Sequence, residues 1–280
     1  MFDEEAAECI RAAAALMRQG EAMIELADIG KCFTTQRGEP INALENISFT
    51  VAENEFVALL GPSGCGKSTL LKLVSGLMAP TTGNILIHGE DIREPYADIG
   101  FVFQQPVLLP WRNVLDNVMF SIEMLGRNTP DYLEEARSLL QLAGLNGFEN
   151  KFPRELSGGM QQRVSICRAL VHNPTLLLMD EPFGALDAMT REEMSLVLLG
   201  IWERRRKTIL FVTHSISEAI LLADRIVVMS ARPGRIAEVI NVELPRPRTF
   251  EGQDDPRFKA YSNAIRKLIF GGQPGTPHAA

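Results

Sequence analysis

Apolar residues in this chain fall into two alternating rhythms. Short uninterrupted runs occur at Phe56–Leu60, Thr175–Met179, Thr208–Val212 and Arg225–Met229. Runs of this length with no polar alternation predict strands buried on both faces. Between them lie stretches with helical spacing at Ser68–Ser75, Arg191–Glu203 and Ser217–Ala223. Strand and helix in alternation predict an α/β domain around a mostly parallel sheet. The segment from Gln104 to Ser157 breaks the rhythm: Asn113–Leu125 and Asp131–Ala143 read as helices separated by Gly126 and Pro130, a small helical subdomain inserted at about 105–160. Ahead of the first strand, residues 4–19 are rich in alanine, with Ile10, Ala14 and Met17 at helical spacing, so a short helix is expected to end at Gly20. Beyond Val242 the chain turns rich in proline and charge, then allows a last helix at Tyr261–Phe270 in what reads as a peripheral tail. The expected division is a 1–21 extension, a 22–240 main domain and a 241–280 tail.

Composition narrows the function classes. With 280 residues, 46% of them hydrophobic, the chain can fill a large core. Its best apolar run, Met194–Trp202, is broken by Ser195 and Gly200 and falls well short of the roughly 20 residues that span a bilayer. The N-terminus opens acidic with no basic segment before its alanines, so a secretory leader is not expected and a cytoplasmic location is. A net charge of -7 repels a phosphate backbone, which makes nucleic acid an unexpected partner. The four cysteines, at 9, 32, 65 and 167, form no CxxC pair, so neither a zinc site nor a disulfide framework is expected.

The strongest chemical signal is GPSGCGKST, Gly61–Thr69, between a predicted strand and a predicted helix. This is the Walker A pattern in its required context. Gly61, Gly64 and Gly66 let the loop curl around Pro62 and Ser63 so that backbone N–H groups face inward, and the helix N-terminus adds its positive end. A nucleoside triphosphate suits that cradle: Lys67 reaches the β- and γ-phosphates, Ser68 ligates Mg2+, and Thr69 adds a hydroxyl. Cys65 stands where any residue fits, and two readings are open: a side chain that merely packs, or a thiol made reactive by the helix N-terminus and shielded by ATP.

A second strand, LLLMDEP at Leu176–Pro182, ends in two carboxylates. Asp180 suits Mg2+ through water, and Glu181, which strand alternation sends to the opposite side, suits a general base on the attacking water. His214 follows the strand Thr208–Val212, and Gln104 sits in FVFQQP; alone, each reads as an ordinary turn or surface residue.

LSGGMQQR, Leu156–Arg163, joins these parts, because it resembles the signature sequence of ABC ATPases. The resemblance covers about 22–240 and runs in family order: A-loop Phe33, Walker A Gly61–Thr69, Q-loop Gln104, signature Ser157–Gly159, Walker B Leu176–Asp180, catalytic Glu181, D-loop Ala185–Asp187 and switch His214. It implies a P-loop core with an antiparallel β subdomain and the inserted helices. It also implies that Phe33 stacks on adenine, that Gln104 joins Ser68 and Asp180 around Mg2+, that Ser157, Gly158 and Gly159 meet the γ-phosphate held by a second copy, and that Asp187 of the D-loop belongs to the nucleotide-binding residues. Two departures stand out. LSGGM replaces the commoner LSGGQ, which leaves the serine hydroxyl and glycine N–H groups in place, and Phe33 replaces the commoner tyrosine while still offering a ring.

Within the family, QQPVLLPWRNVLDNV, Gln104–Val118, is similar to importer ATPases of the nitrate, sulfonate and taurine group. That likeness implies transmembrane permease subunits as partners, indirectly an external solute-binding protein, and a peripheral place on the cytoplasmic face of the inner membrane. Val107–Trp111 then forms an apolar docking surface or else fills the helical subdomain. The solute stays open among nitrate, sulfonates, taurine, aromatic acids and pyrimidine-like molecules. A DNA-repair member of the family would carry a long coiled coil between Gln104 and Ser157, a translation factor a second cassette, and a small-molecule kinase no LSGG; a structural P-loop protein would have no use for Glu181.

Overall fold

The computed structural model describes residues 22–127 and 130–270. The helix expected at 4–19 lies outside them.

A six-stranded sheet forms the centre, in the order β10-β9-β3-β8-β7-β6, built from β3 (Phe56–Leu60), β6 (Ile99–Val102), β7 (Leu176–Asp180), β8 (Thr208–Thr213), β9 (Arg225–Met229) and β10 (Ile236–Asn241). All neighbours pair in parallel except β9 and β10, whose hairpin closes one edge antiparallel. The uninterrupted apolar runs have a simple cause: both faces are covered. Phe56, Ala58 and Leu60 pack into one core, Val57 and Leu59 into the other, and β7, β8 and β9 divide their residues with the same period of two.

One face is covered by α1 (Lys67–Val74) and a four-stranded antiparallel sheet in the order β2-β1-β4-β5, made of β1 (Ala22–Thr34), β2 (Pro40–Ala52), β4 (Thr82–Ile87) and β5 (Glu90–Asp91). The other face carries α4 (Gly158–Leu170), α5 (Ala188–Arg204) and α6 (Ile216–Leu222). Against α4 pack α2 (Val114–Met124) and α3 (Pro130–Leu142), the two inserted helices. Helix α5 starts three residues earlier than its apolar spacing predicts, because Asp187 accepts from the Thr190 backbone N–H at 3.0 Å and caps it.

The C-terminal segment is less peripheral than its composition predicts. Helix α7 (Pro256–Phe270) buries Phe258 and Ile265 in the main core. Arg248, itself buried, donates to the carbonyls of Ile220, Ala223, Val242 and Leu244. Loss of hydration pushes its guanidinium down to about 10, and the four carbonyls make that burial tolerable. Among the described residues no helix is long and apolar enough to cross a membrane.

Candidate active site

Register brings the chemistry together. In the ladder β3-β8-β7-β6, Leu60 lies opposite Thr213, Val212 opposite Asp180, and Met179 opposite Val102. The next residues in each strand are Gly61, His214, Glu181 and Phe103–Gln104. Four segments distant in sequence therefore leave the carboxyl ends of adjacent parallel strands, where open α/β sheets hold ligands.

A pocket at this edge is lined by Phe33, Ile41, Ala43, Ser63, Gly64, Gly66, Lys67, Ser68, Thr69, Glu181 and Arg232. Gly64 and Gly66 take φ of 76° and 100°, left-handed values that side chains resist. Helix α1 has no side-chain cap, which leaves its first-turn N–H groups for an anion. Lys67 Nζ donates to the Gly61 and Pro62 carbonyls at 2.8 and 3.1 Å. Ser68 Oγ donates to Asp180 Oδ1 at 2.7 Å. Burial pushes the Asp180 carboxyl above its ordinary range, while the Ser68 hydrogen bond pulls the other way.

Glu181 departs from the expected geometry. Strand alternation would carry its side chain to the face opposite Asp180, but β7 ends at Asp180 and Glu181 takes a left-handed φ of 43°. The turn brings its carboxylate into the pocket beside Ser68 and places Oε2 3.1 Å from His214 Nδ1. A Cβ built on Gly184 would lie 3.3 Å from Gln104 Nε2 and 3.5 Å from Glu181 Oε2, so Gln104 shares this corner.

Two readings stand for Cys65. The side chain is 1% exposed, and burial pushes its thiol up despite nearby Lys67, both of which favour the packing reading. With Gly61 and Pro62 it forms the loop behind the pocket rather than the lining.

Ser157, Gly158, Gly159 and Asp187 do not line the pocket of their own chain. Ser157 caps α4, its Oγ accepting from the Met160 N–H at 3.3 Å, and no described atom lies within 4 Å of a Cβ on Gly158. Gly159 has a packing reason of its own, since a Cβ there would come 2.7 Å from Thr190 Cγ2 at the start of α5. Helix α4 also steadies the Q-loop: buried Gln162 donates to the Phe103 carbonyl at 3.2 Å, and Arg168 to those of Pro106 and Val107 at 2.9 and 2.8 Å.

Three lining residues escaped the sequence reading. Ile41 sits opposite Phe33 in the β1–β2 ladder, with Ala43 two residues on, and only that pairing puts them beside the phosphate loop. Arg232 lies in the β9–β10 turn, whose sequence ARPGR signals a turn and no chemistry.

A phosphate cradle followed by hard-oxygen donors and a carboxylate–imidazole pair, on the carboxyl edge of a parallel sheet, defines a P-loop nucleoside triphosphatase. Comparison with known proteins narrows that class. The ABC transporter family model matches residues 44–184. The chain is 46% identical over 249 residues to the aliphatic sulfonates import ATP-binding protein SsuB of Bacillus cereus, covering 89% of this chain and 97% of that protein. It is 42% identical over 254 residues to the nitrate import ATP-binding protein NrtD of Synechocystis, covering 89% and 95%. Among solved structures, the dimeric post-hydrolysis state of the ATP-binding cassette MJ0796 bound to ADP and Pi superposes with a TM-score of 0.70 at 34% identity, covering 80% of this chain and all of that one. The chain belongs to the ABC transporter family, as an ATP-binding cassette.

Proposed function

We propose that this chain is the ATP-hydrolysing subunit of an importer for a small anion such as nitrate, a sulfonate or taurine, working as a pair of copies on separate membrane subunits. The observation that carries this reading is a division of the site. Lys67, Ser68, Thr69 and Glu181 converge on one pocket, whereas Ser157, Gly158 and Gly159 stand outside it at the N-terminus of α4. The pocket grips a nucleotide from one side, and the α4 terminus of a second copy supplies the other.

The donor set suits Mg2+, since a hydroxyl and a carboxylate oxygen 2.7 Å apart offer the hard ligands that ion takes. Ser68 and Asp180 would hold it, with Gln104 as a further oxygen donor, and it would neutralise charge on the β- and γ-phosphates. Lys67 carries a compact positive charge to the phosphate loop. Glu181 accepts the proton of the attacking water, and His214 holds that carboxylate in place from Nδ1. Loss of the bridging γ-phosphate then removes what favours the closed pair.

The membrane-facing surface is split between the two readings of Val107–Trp111. Leu108 packs against the core, whereas Val107 and Trp111 are 60% and 71% exposed. We place the permease at those two side chains, the chain itself on the cytoplasmic face of the inner membrane, and an external solute-binding protein on the far side of the permease.

Two variants test the catalytic assignment. Glu181→Gln should lower ATP turnover by about 10²–10⁴ while nucleotide binding survives, and Lys67→Ala should weaken binding itself. Turnover of the glutamine variant above about half the parent rate would remove Glu181 from its role. ATPase stimulation of the co-purified complex by a panel of anions then identifies the solute.

A further inference from the structure

The β9–β10 turn delivers a cation to the nucleotide pocket. Its base is anchored on β2: the Gly234 N–H donates to the Ala43 carbonyl at 2.9 Å, and the Glu45 N–H donates to the Gly234 carbonyl at 3.0 Å. Arg235 Nη2 meets Glu45 Oε2 at 2.8 Å. Any Cβ on Gly234 would overlap the Cys65 carbonyl oxygen, so the turn lies directly on the phosphate loop. Across the turn, the Ser230 N–H donates to the Arg235 carbonyl at 2.9 Å, and Ser230 Oγ accepts from the Arg235 N–H at 3.1 Å. Held this way, the tip presents Arg232, whose Nε donates to the Gly64 carbonyl at 3.3 Å.

Lys67 and Arg232 are the two cations among the described residues that line the pocket. Lys67 is buried and already donates to two carbonyls, whereas Arg232 is exposed and has made one of the five donations a guanidinium offers. Its remaining N–H groups form a planar fork of the kind that matches phosphate oxygens.

We propose that Arg232 is a nucleotide-binding residue whose guanidinium, held over the phosphate loop at Gly64, engages the polyphosphate of ATP and ADP. The proposal rests on the reading of this pocket as the nucleotide site. It makes the β9–β10 hairpin part of the site, joining β2, the phosphate loop and the bound nucleotide. It also supplies affinity beyond the motif residues, acting alike on substrate and product.

The test is equilibrium titration of the full chain with ADP and with a fluorescent ATP analogue, for the parent, Arg232→Ala, Arg232→Lys and Lys67→Ala, with thermal melts of each protein alone. Arg232→Ala should raise both dissociation constants about five- to tenfold. Arg232→Lys should recover part of the loss, and the melts should coincide. The gap between parent and Arg232→Ala should narrow as salt rises from about 0.05 to about 0.5 M, because an exposed charge is screened. Binding by Arg232→Ala within twofold of the parent, while Lys67→Ala loses it, would overturn the proposal and leave the site reading intact. An equal loss in Arg232→Lys, or an earlier melt of either Arg232 variant, would overturn it too by assigning the residue to holding the turn. Unchanged binding by Lys67→Ala would instead sink the site reading beneath it.

Discussion

At the scale of single residues, the site depends on side chains whose neighbours constrain them beyond their own chemistry. Glu218 shows this one step behind His214. Its Oε2 accepts from Thr213 Oγ1 at 2.6 Å, and its Oε1 lies 3.6 Å from Arg191 Nε on α5, the helix that follows the D-loop. Burial pushes its carboxyl up from an ordinary value of 4.5, against the pull of Thr213 and Arg191. A raised pKa means that the native state binds the proton more tightly than the unfolded chain does. The associated stability is therefore full below the ordinary value and is lost as pH rises through the raised one. Glu218→Gln removes the titration and keeps the Thr213 contact through its single acceptor oxygen, while its NH2 group cannot accept from Arg191. Its melting temperature should fall less than the parent's between about pH 4.5 and about pH 7, as followed by circular dichroism; equal slopes for the two proteins would contradict the assignment.

The elements matter here for what they hold in place. Asn117 on α2 is fully buried, and its amide satisfies a whole loop. Oδ1 accepts from the Leu109 N–H at 2.7 Å, and Nδ2 donates to the carbonyls of Leu109, Arg112 and Asn113 at 3.1, 3.0 and 2.9 Å. That loop carries Trp111. Asn117→Leu has a similar volume but leaves the Leu109 N–H without its acceptor, and should cost about 1–3 kcal/mol in denaturant unfolding. Because the loop loses its shape, retention of the membrane partner should fall more than the ATPase rate of the isolated chain. Parent-like stability would show that the loop is held by other contacts. Helical spacing made α2 and α3 visible in the sequence; nothing in that spacing told Asn117 from any other polar residue on the helix.

For the molecule as a whole, the separation of Ser157 from Lys67 makes a prediction about pairs. Lys67→Ala and Ser157→Arg should each abolish most turnover when purified alone. Mixed, they form hybrids in which one composite site joins an intact phosphate loop to an intact signature. Activity should return to about a quarter of the parent rate on simple mixing statistics. A mixture no more active than its components would mean that each protomer completes its own site. The same scale explains why the tail is integral. Arg248, Phe258 and Ile265 tie the C-terminal segment to α6, which follows His214, and composition alone could not reveal that because the segment is rich in charge and proline.

The strands of the central sheet, the phosphate loop and the acidic end of β7 were legible in the sequence because their causes are local. Burial on both faces demands unbroken apolar runs, and a phosphate cradle demands glycines at fixed intervals before a helix. The signature was legible through resemblance. What only the tertiary structure decided depends on register and backbone hand. Glu181 takes a left-handed φ just beyond the end of β7, where strand alternation no longer assigns its side. The β1–β2 ladder sets Ile41 beside Phe33, and the hairpin brings Arg232 over a loop far away in sequence. Neighbours in space that are distant along the chain leave no periodic trace, so their chemistry stays unreadable until the sheet is assembled.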